Sequence, residues 1–242
     1  MRALLIRGMV SGFVAGAGAV VVARWAGQGP LSAGLAFEAA QRPGAAAGPE
    51  VLSRSVQATI GLTTATLVFT VALGGLYGLV YGLAQGRLGG LSARATAAVV
   101  AGGGFLAVYL LPALKYPPNP PGVSAAATIG DRTWSYFALL MLCVAVVVGA
   151  TAVAGKLGVR HDRWNAALGC GGAAAAMVGI AYWLLPAAAS TPSGFDADVL
   201  WDFRVASGAV ALTVWLVLGL VFGALTDRRL HRDRVAVPPM RQ

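Results

Sequence analysis

Six apolar stretches, each close to the length of a bilayer crossing, constrain this chain more than any motif in it. They run approximately over 4–23, 58–83, 95–113, 136–155, 166–185 and 205–225. A hydrocarbon core about 30 Å thick takes roughly 20 residues of helix at about 1.5 Å per residue. Without water at that depth a single segment of this length satisfies its backbone only as a helix. Only the first stretch holds a charge, Arg7, close enough to its end to snorkel to the interface. Composition agrees. Charged residues make up 11% of the 242 and hydrophobic ones 57%, whereas a soluble domain carries roughly a quarter charged residues. The expected fold is an all-α polytopic membrane bundle of about six transmembrane helices. It forms a single domain over 1–242, with a basic tail over 226–242.

The net charge of +9 does not read as a nucleic-acid surface, because the basic residues cluster at the ends of the apolar runs. That is where a membrane protein uses them to set orientation and meet anionic headgroups. With the N-terminus inside, the inner side collects Arg2, Arg7, Arg87, Arg94, Lys156, Arg160, Arg163 and the arginines of the tail. The outer side holds Arg24, Arg42, Arg54, Lys115, Arg132 and Arg204, half as many. Both termini are therefore expected in the cytoplasm. Residues 1–23 also fit, weakly, a secretory signal ending at Val21-Val22-Ala23. On the same map Glu38, Glu50, Asp131, Asp196, Asp198 and Asp202 lie at the outer side, where carboxylates attract cations or simply solvate loops.

Several chemistries are excluded or weakened. No GxxxxGK[ST] loop occurs, so this chain is not expected to carry an ATP-driven motor, and no HExxH or Ser/His/Asp set shares a depth, so no enzyme is expected. His161 and His231 both fall outside the spans and read as solvated interfacial residues. Cys143 and Cys170 differ in depth by on the order of 12 Å, which speaks against a disulfide or a shared metal. No Asp, Glu, Lys or Arg falls at mid-membrane, where ion-coupled transporters place them. A cation crossing here would need carbonyls, hydroxyls such as Thr63, Thr64 and Thr66, thioethers such as Met141 and Met177, or groups from a partner. Glycines four apart (Gly12/Gly16, Gly74/Gly78/Gly82, Gly219/Gly223) read as close helix packing, with the second helix, bearing Tyr77 and Tyr81, central.

Two outer segments stand apart. In LKYPPNPPGV, Pro117, Pro118, Pro120 and Pro121 forbid helix and force extended backbone after Lys115 and Tyr116, holding the amide of Asn119 at a fixed aim. The plain reading is a helix stop; the sharper one is a rigid loop that docks a partner or frames a pore mouth. In FDADVLWDFRVAS, Asp198 and Asp202 share a helical face with Arg204 nearby. They serve either as first-turn carboxylates or as an outer cation entrance. The segment lacks the glycine and terminal glutamate of a calcium loop.

PALKYPPNPPGV, TIGDRTWSYF and ADVLWDFRVAS, with RALLIRGMVSGFVAGAG and LAFEA around Glu38, together resemble the CbtA family of predicted cobalt transporter subunits over nearly the whole chain. The resemblance implies a multi-pass subunit of the bacterial inner (plasma) membrane in cobalt uptake for cobalamin synthesis. It implies no tightly bound cofactor, with cobalt(II) as the transported ion. It also implies a CbtB-like small single-span partner with a histidine cluster, which would supply the nitrogen ligands this chain lacks; membrane lipid and a homo-oligomer are further possible partners. The family's motif residues map onto Lys115, Tyr116, Asn119, Arg132, Asp198, Trp201, Asp202 and Arg204. Where the family carries acidic residues after the prolines, this chain has Ala125, Ala126 and Ala127. That leaves Glu38, Asp131, Asp198 and Asp202 as the carboxylates of an outer metal site. The alternatives are a non-transporting scaffold for a metal-binding partner, or transport of an unrelated small solute.

Overall fold

A computed structural model describes residues 1–41, 60–123, 129–158, 162–188, 191–192 and 194–235; side chains at 129, 131, 132 and 229–235 are not described. Six helices are long and apolar enough to cross a membrane. They are α1 (Arg2–Gln41), α2 (Leu62–Ala84), α3 (Ala93–Lys115), α4 (Ile129–Leu157), α5 (Arg163–Leu184) and α6 (Ala197–Val235). Their number and order match the six apolar runs, but α4 begins at Ile129 rather than 136, α6 runs on to Val235 rather than 225, and two further ends lie well beyond the runs. α1 does not stop at 23 but continues to Gln41, and α6 begins at Ala197 rather than 205. At about 1.5 Å per residue α1 is about 60 Å long, twice the hydrocarbon core.

α1 continues through Pro30, and α3 through Pro112, by the same device. Proline cannot donate to the carbonyl four residues back and its ring crowds that carbonyl. Those carbonyls belong to Ala26 and Val108. Each falls inside a π-helical turn, Ala23–Gly27 in α1 and Phe105–Leu110 in α3. Widening the helix by one residue clears the ring and lets the chain continue. Helix starts are conventional: Ser92 accepts from the Ala95 N–H, Asp162 from that of Trp164 and Asp196 from that of Asp198, relieving otherwise orphaned donors.

Helices α1, α2, α3 and α6 form the main bundle. α1 and α2 run antiparallel with backbones in direct contact. A methyl group on Gly8, Gly12 or Gly78 would strike the carbonyl of Gly74, Thr70 or Leu4 respectively, and one on Gly74 would strike that of Gly8. Lipid tails are as apolar as leucine, so such close approach gains dispersion contact that larger residues would forbid. α6 lies antiparallel to both α1 and α3, with Gly219 against Ala101 and the Trp215 ring laid over Gly104. The core joins Ala15 and Ala19 of α1, Tyr77 and Tyr81 of α2, Ala97 and Ala101 of α3, and Leu218 and Phe222 of α6. Tyr77 and Tyr81 both meet Phe222 edge-on, at 5.1 and 4.8 Å between centroids, and the Tyr77 hydroxyl donates to the Ala97 carbonyl at 2.6 Å. Tyr77 and Tyr81 thus carry α2 into the core, but the helix that packs broadly on both α1 and α3 is α6, not α2 as its glycines and tyrosines implied.

α4 and α5 form a separate hairpin with its own small core of Leu139, Cys143, Val146, Val178 and Ala181. It rests on the π-helical and C-terminal parts of α3, where Leu111 and Tyr116 meet that core. Cys143 and Cys170 are both free thiols.

Candidate functional site

Among the described residues, the segment after α3 is the most constrained loop. α3 makes its last turn at Tyr116, whose N–H reaches the Pro112 carbonyl at 2.8 Å, and residues 117–120 leave the helix without entering another regular element, as four closely set prolines require. Pro120 is fully buried. It lies over Gly34 on the long extension of α1, where even a Cβ would come within 2.7 Å of the proline ring. The chain then turns at Gly122, with φ at +78°, a region open to glycine and strained for other residues. The same glycine is needed for space, because a Cβ there would stand 2.7 Å from that of Glu38. Loop and α1 extension are thus fitted to each other through two glycines, one on each partner. The Gln41 side chain adds a long contact to the Gly122 carbonyl at 3.5 Å.

Asn119, held between its prolines, accepts from Nη2 of Arg204 on α6 at 3.0 Å. The Nε–H of Arg204 is buried and finds no acceptor among the described residues. The segment leading into α6 is also tied to the end of α1 by the edge-on contact of Phe195 with Phe37, 5.0 Å between centroids. The other flank of the loop grips the hairpin. The Lys115 ammonium donates to the Tyr182 carbonyl at 2.7 Å and the Tyr116 hydroxyl to that of Pro186 at 2.9 Å, while the Tyr182 hydroxyl donates back to the Leu111 carbonyl. The last carbonyls of a helix have no partner of their own, and a cation at that end also suits the helix dipole. Lys115 therefore serves the terminus of α5.

The sequence-derived residues fall into three groups. Lys115, Tyr116, Asn119, Pro120, Pro121 and Arg204 come together around the loop, with Pro117 at its start and Glu38 half-buried against Gly122. Asp198, Trp201 and Asp202 are exposed on the first turns of α6, with Trp201 at 66%. Asp131 and Arg132 lie on the first turn of α4, their side chains outside what is described; Glu50, Arg42, Arg54 and His161 fall outside the described residues altogether. Among the described residues no three His, Cys, Asp or Glu side chains come together as metal ligands. The alternative donors inside the spans are turned to other ends. Thr66 donates to its own helix at Leu62, the Thr63 hydroxyl accepts from Arg24 at 3.1 Å, and Met141 and Met177 face outward, each more than half exposed.

Sequence reading missed Gly34, Tyr182, Pro186 and the entire α1 extension. Gln28-Gly29-Pro30 reads as a break, and only the π turn before it shows why it is not one. As chemistry, this end is a rigid platform with exposed carboxylates at its rim, able to attract a cation and to present a fixed surface to another protein. A family model described as "Probable cobalt transporter subunit (CbtA)" matches residues 1–227. No curated protein and no solved structure matches the chain.

Proposed function

The chain belongs to the CbtA family, and on that premise we propose that it is the membrane subunit of a cobalt uptake system serving cobalamin synthesis, working with a small single-span partner that bears histidines. The proline-loop end faces outward in this reading, with both termini in the cytoplasm, and receives that partner. Glu38, Asp131, Asp198 and Asp202 gather the divalent cation near the mouth, and the partner's imidazoles supply the donors suited to cobalt(II). The observation that carries the reading is the assembly of segments distant in sequence, from α1, α3, α5 and α6, on one ordered loop. That order exceeds what stopping a helix requires. The scarcity of inward-facing ligands in the described spans supports a division of labour between two subunits.

Radiolabelled cobalt uptake tests it. Cells expressing both proteins should accumulate cobalt well above cells with the partner alone. Asn119→Ala combined with Arg204→Gln should lower both uptake and co-purification of the partner, and Asp198→Asn with Asp202→Asn should lower uptake while leaving co-purification intact. Equal uptake with the partner alone would make this chain a scaffold, and uptake indifferent to the carboxylates would point to an unrelated solute.

A further inference from the structure

At the opposite end of the bundle an open groove of about 560 Å³ runs between α3 and α6. Its lining is apolar apart from Arg94 and Arg228, which stand at one end, while Phe105 and Leu212 lie at the other. Phe105 is stacked on Tyr109 at 5.8 Å. Between them Gly102 has no atom within 4 Å of where its Cβ would be, so it leaves the floor open, and Trp215, buried over Gly104, forms the back wall. Beside the arginines lies Asp227, whose Oδ2 is 2.9 Å from Nε of Arg94, in a pair that is largely exposed. The three charges leave one net positive.

We propose that this groove binds an acyl chain of an anionic phospholipid, with Arg94 and Arg228 meeting its phosphate. Length argues for a lipid over a helix from another protein. From Arg94 to Phe105 the groove covers about 16 Å of helix, and from Leu212 to Arg228 about 24 Å. One leaflet of a core about 30 Å thick takes about half of it, and a crossing helix needs all of it. The volume lies within the range of ordinary ligand sites. Placing the cations only at the interfacial end matches an amphiphile whose charge stays at the surface while its tail enters the protein. Basic pockets between membrane helices hold anionic headgroups by this arrangement. A free phosphate would have no use for the apolar length.

Trp215 reports directly on the groove. The other five tryptophans, Trp25, Trp134, Trp164, Trp183 and Trp201, are each at least 66% exposed, and replacing them with Phe leaves Trp215 as the sole emitter of the full-length chain. In vesicles containing brominated phosphatidylglycerol its fluorescence should be quenched more than with brominated phosphatidylcholine at equal mole fraction. The expected preference is about fivefold, the factor that one net basic residue supplies near a membrane surface. Arg228→Gln should remove most of that preference and Arg228→Lys should retain it. Gly102→Leu should lower quenching by both lipids by filling the floor. Inorganic phosphate in the buffer should change nothing. Equal quenching by the two lipids, a preference that survives Arg94→Gln combined with Arg228→Gln, or its loss to added phosphate would each overturn the assignment. Arg228→Gln leaves the Arg94–Asp227 pair in place, so a folded single variant is available if the double variant fails to fold.

Discussion

The α1–α2 pair and the α4–α5 hairpin are both rich in glycine, and the glycines have opposite surroundings. In the first pair Gly8, Gly12, Gly74 and Gly78 place backbone against backbone. In the second, Gly149, Gly169, Gly171, Gly172 and Gly179 have nothing within 4 Å of where a Cβ would stand. The residues around them differ accordingly. Tyr77 and Tyr81 beside the first seam are buried, while Trp183 is 83% exposed on α5. A small-residue stripe thus permits close approach without enforcing it, and what decides is whether a second stripe faces it in register. Between α1 and α2 the four-residue spacing runs in opposite chain directions, so each glycine finds another or a carbonyl. The α4–α5 contact instead rests on Leu139, Cys143, Val146, Val178 and Ala181, and no backbone from a facing helix closes on those glycines.

The sharpest way to break this comparison is to place the same side chain in both regions. Gly74→Leu drives an isobutyl group into the carbonyl of Gly8, and overpacking a filled interior costs about 1–3 kcal/mol, occasionally more. With a backbone as the obstacle the upper end is expected, read as loss of the monodisperse folded protein in detergent or a large fall in its melting temperature. Next in size is Lys115→Met, which keeps the stem and removes the charge that serves the Tyr182 carbonyl. A hydrogen bond to a charged group is worth about 1.5–3 kcal/mol. Here the loss should fall on the hairpin, so hydrogen exchange should rise in α4 and α5 and stay unchanged in α1 and α2. Equal effects in both regions would mean that the hairpin and the main bundle unfold as one body.

The legible part of this molecule follows the same division. The six spans could be read because each apolar run answers to one physical demand, the thickness of the bilayer. That α2 enters the core could be read because Tyr77 and Tyr81 share its glycine-bearing face, but not that α6 is the helix linking α1 to α3. The proline loop's stiffness was explicit in Pro117, Pro118, Pro120 and Pro121, but its partners were not: Gly34, Tyr182 and Pro186 are ordinary residues until the chain brings them to it. The α1 extension was hidden by Pro30, since a π turn leaves no compositional trace. The packed glycines could be told from the free ones of α5 by spacing, since Gly12/Gly16 and Gly74/Gly78/Gly82 lie four apart while Gly169, Gly171, Gly172 and Gly179 do not. Which helix meets which could not be read, because packing is a property of pairs of helices and the sequence displays them one at a time.

Smaller effects sharpen the contrast between the two ends of the bundle. The Arg204–Asn119 bond joins a half-buried guanidinium to an amide pinned by prolines, whereas Arg94 and Asp227 form an exposed pair, 65% and 42% accessible. A double-mutant cycle with Asn119→Ala and Arg204→Gln should return a coupling of about 1 kcal/mol or somewhat more, allowing for partial exposure of a charged hydrogen bond. The same cycle with Arg94→Gln and Asp227→Asn should return less than about 1 kcal/mol and fade as salt is added. Chemical denaturation of the four variants at low and high ionic strength reads both.

The smallest expected effect closes the comparison from the other side. Gly172 lies mid-helix on α5 with open space where its Cβ would project, so Gly172→Leu starts clear of every other helix and adds an apolar side chain to an apolar setting. Leucine is also the better helix former by nearly 1 kcal/mol, a gain tempered in lipid, where the helix is already enforced by the need to satisfy its backbone. The isolated chain should therefore melt at an unchanged or slightly higher temperature, against the collapse expected of Gly74→Leu. Agreement would show that the open glycines take no part in holding this chain together. A fall in stability comparable to that at Gly74 would mean that α5 packs in solution against a surface that a single copy of the chain does not present, and the fall should then depend on protein concentration, as stability held by association does.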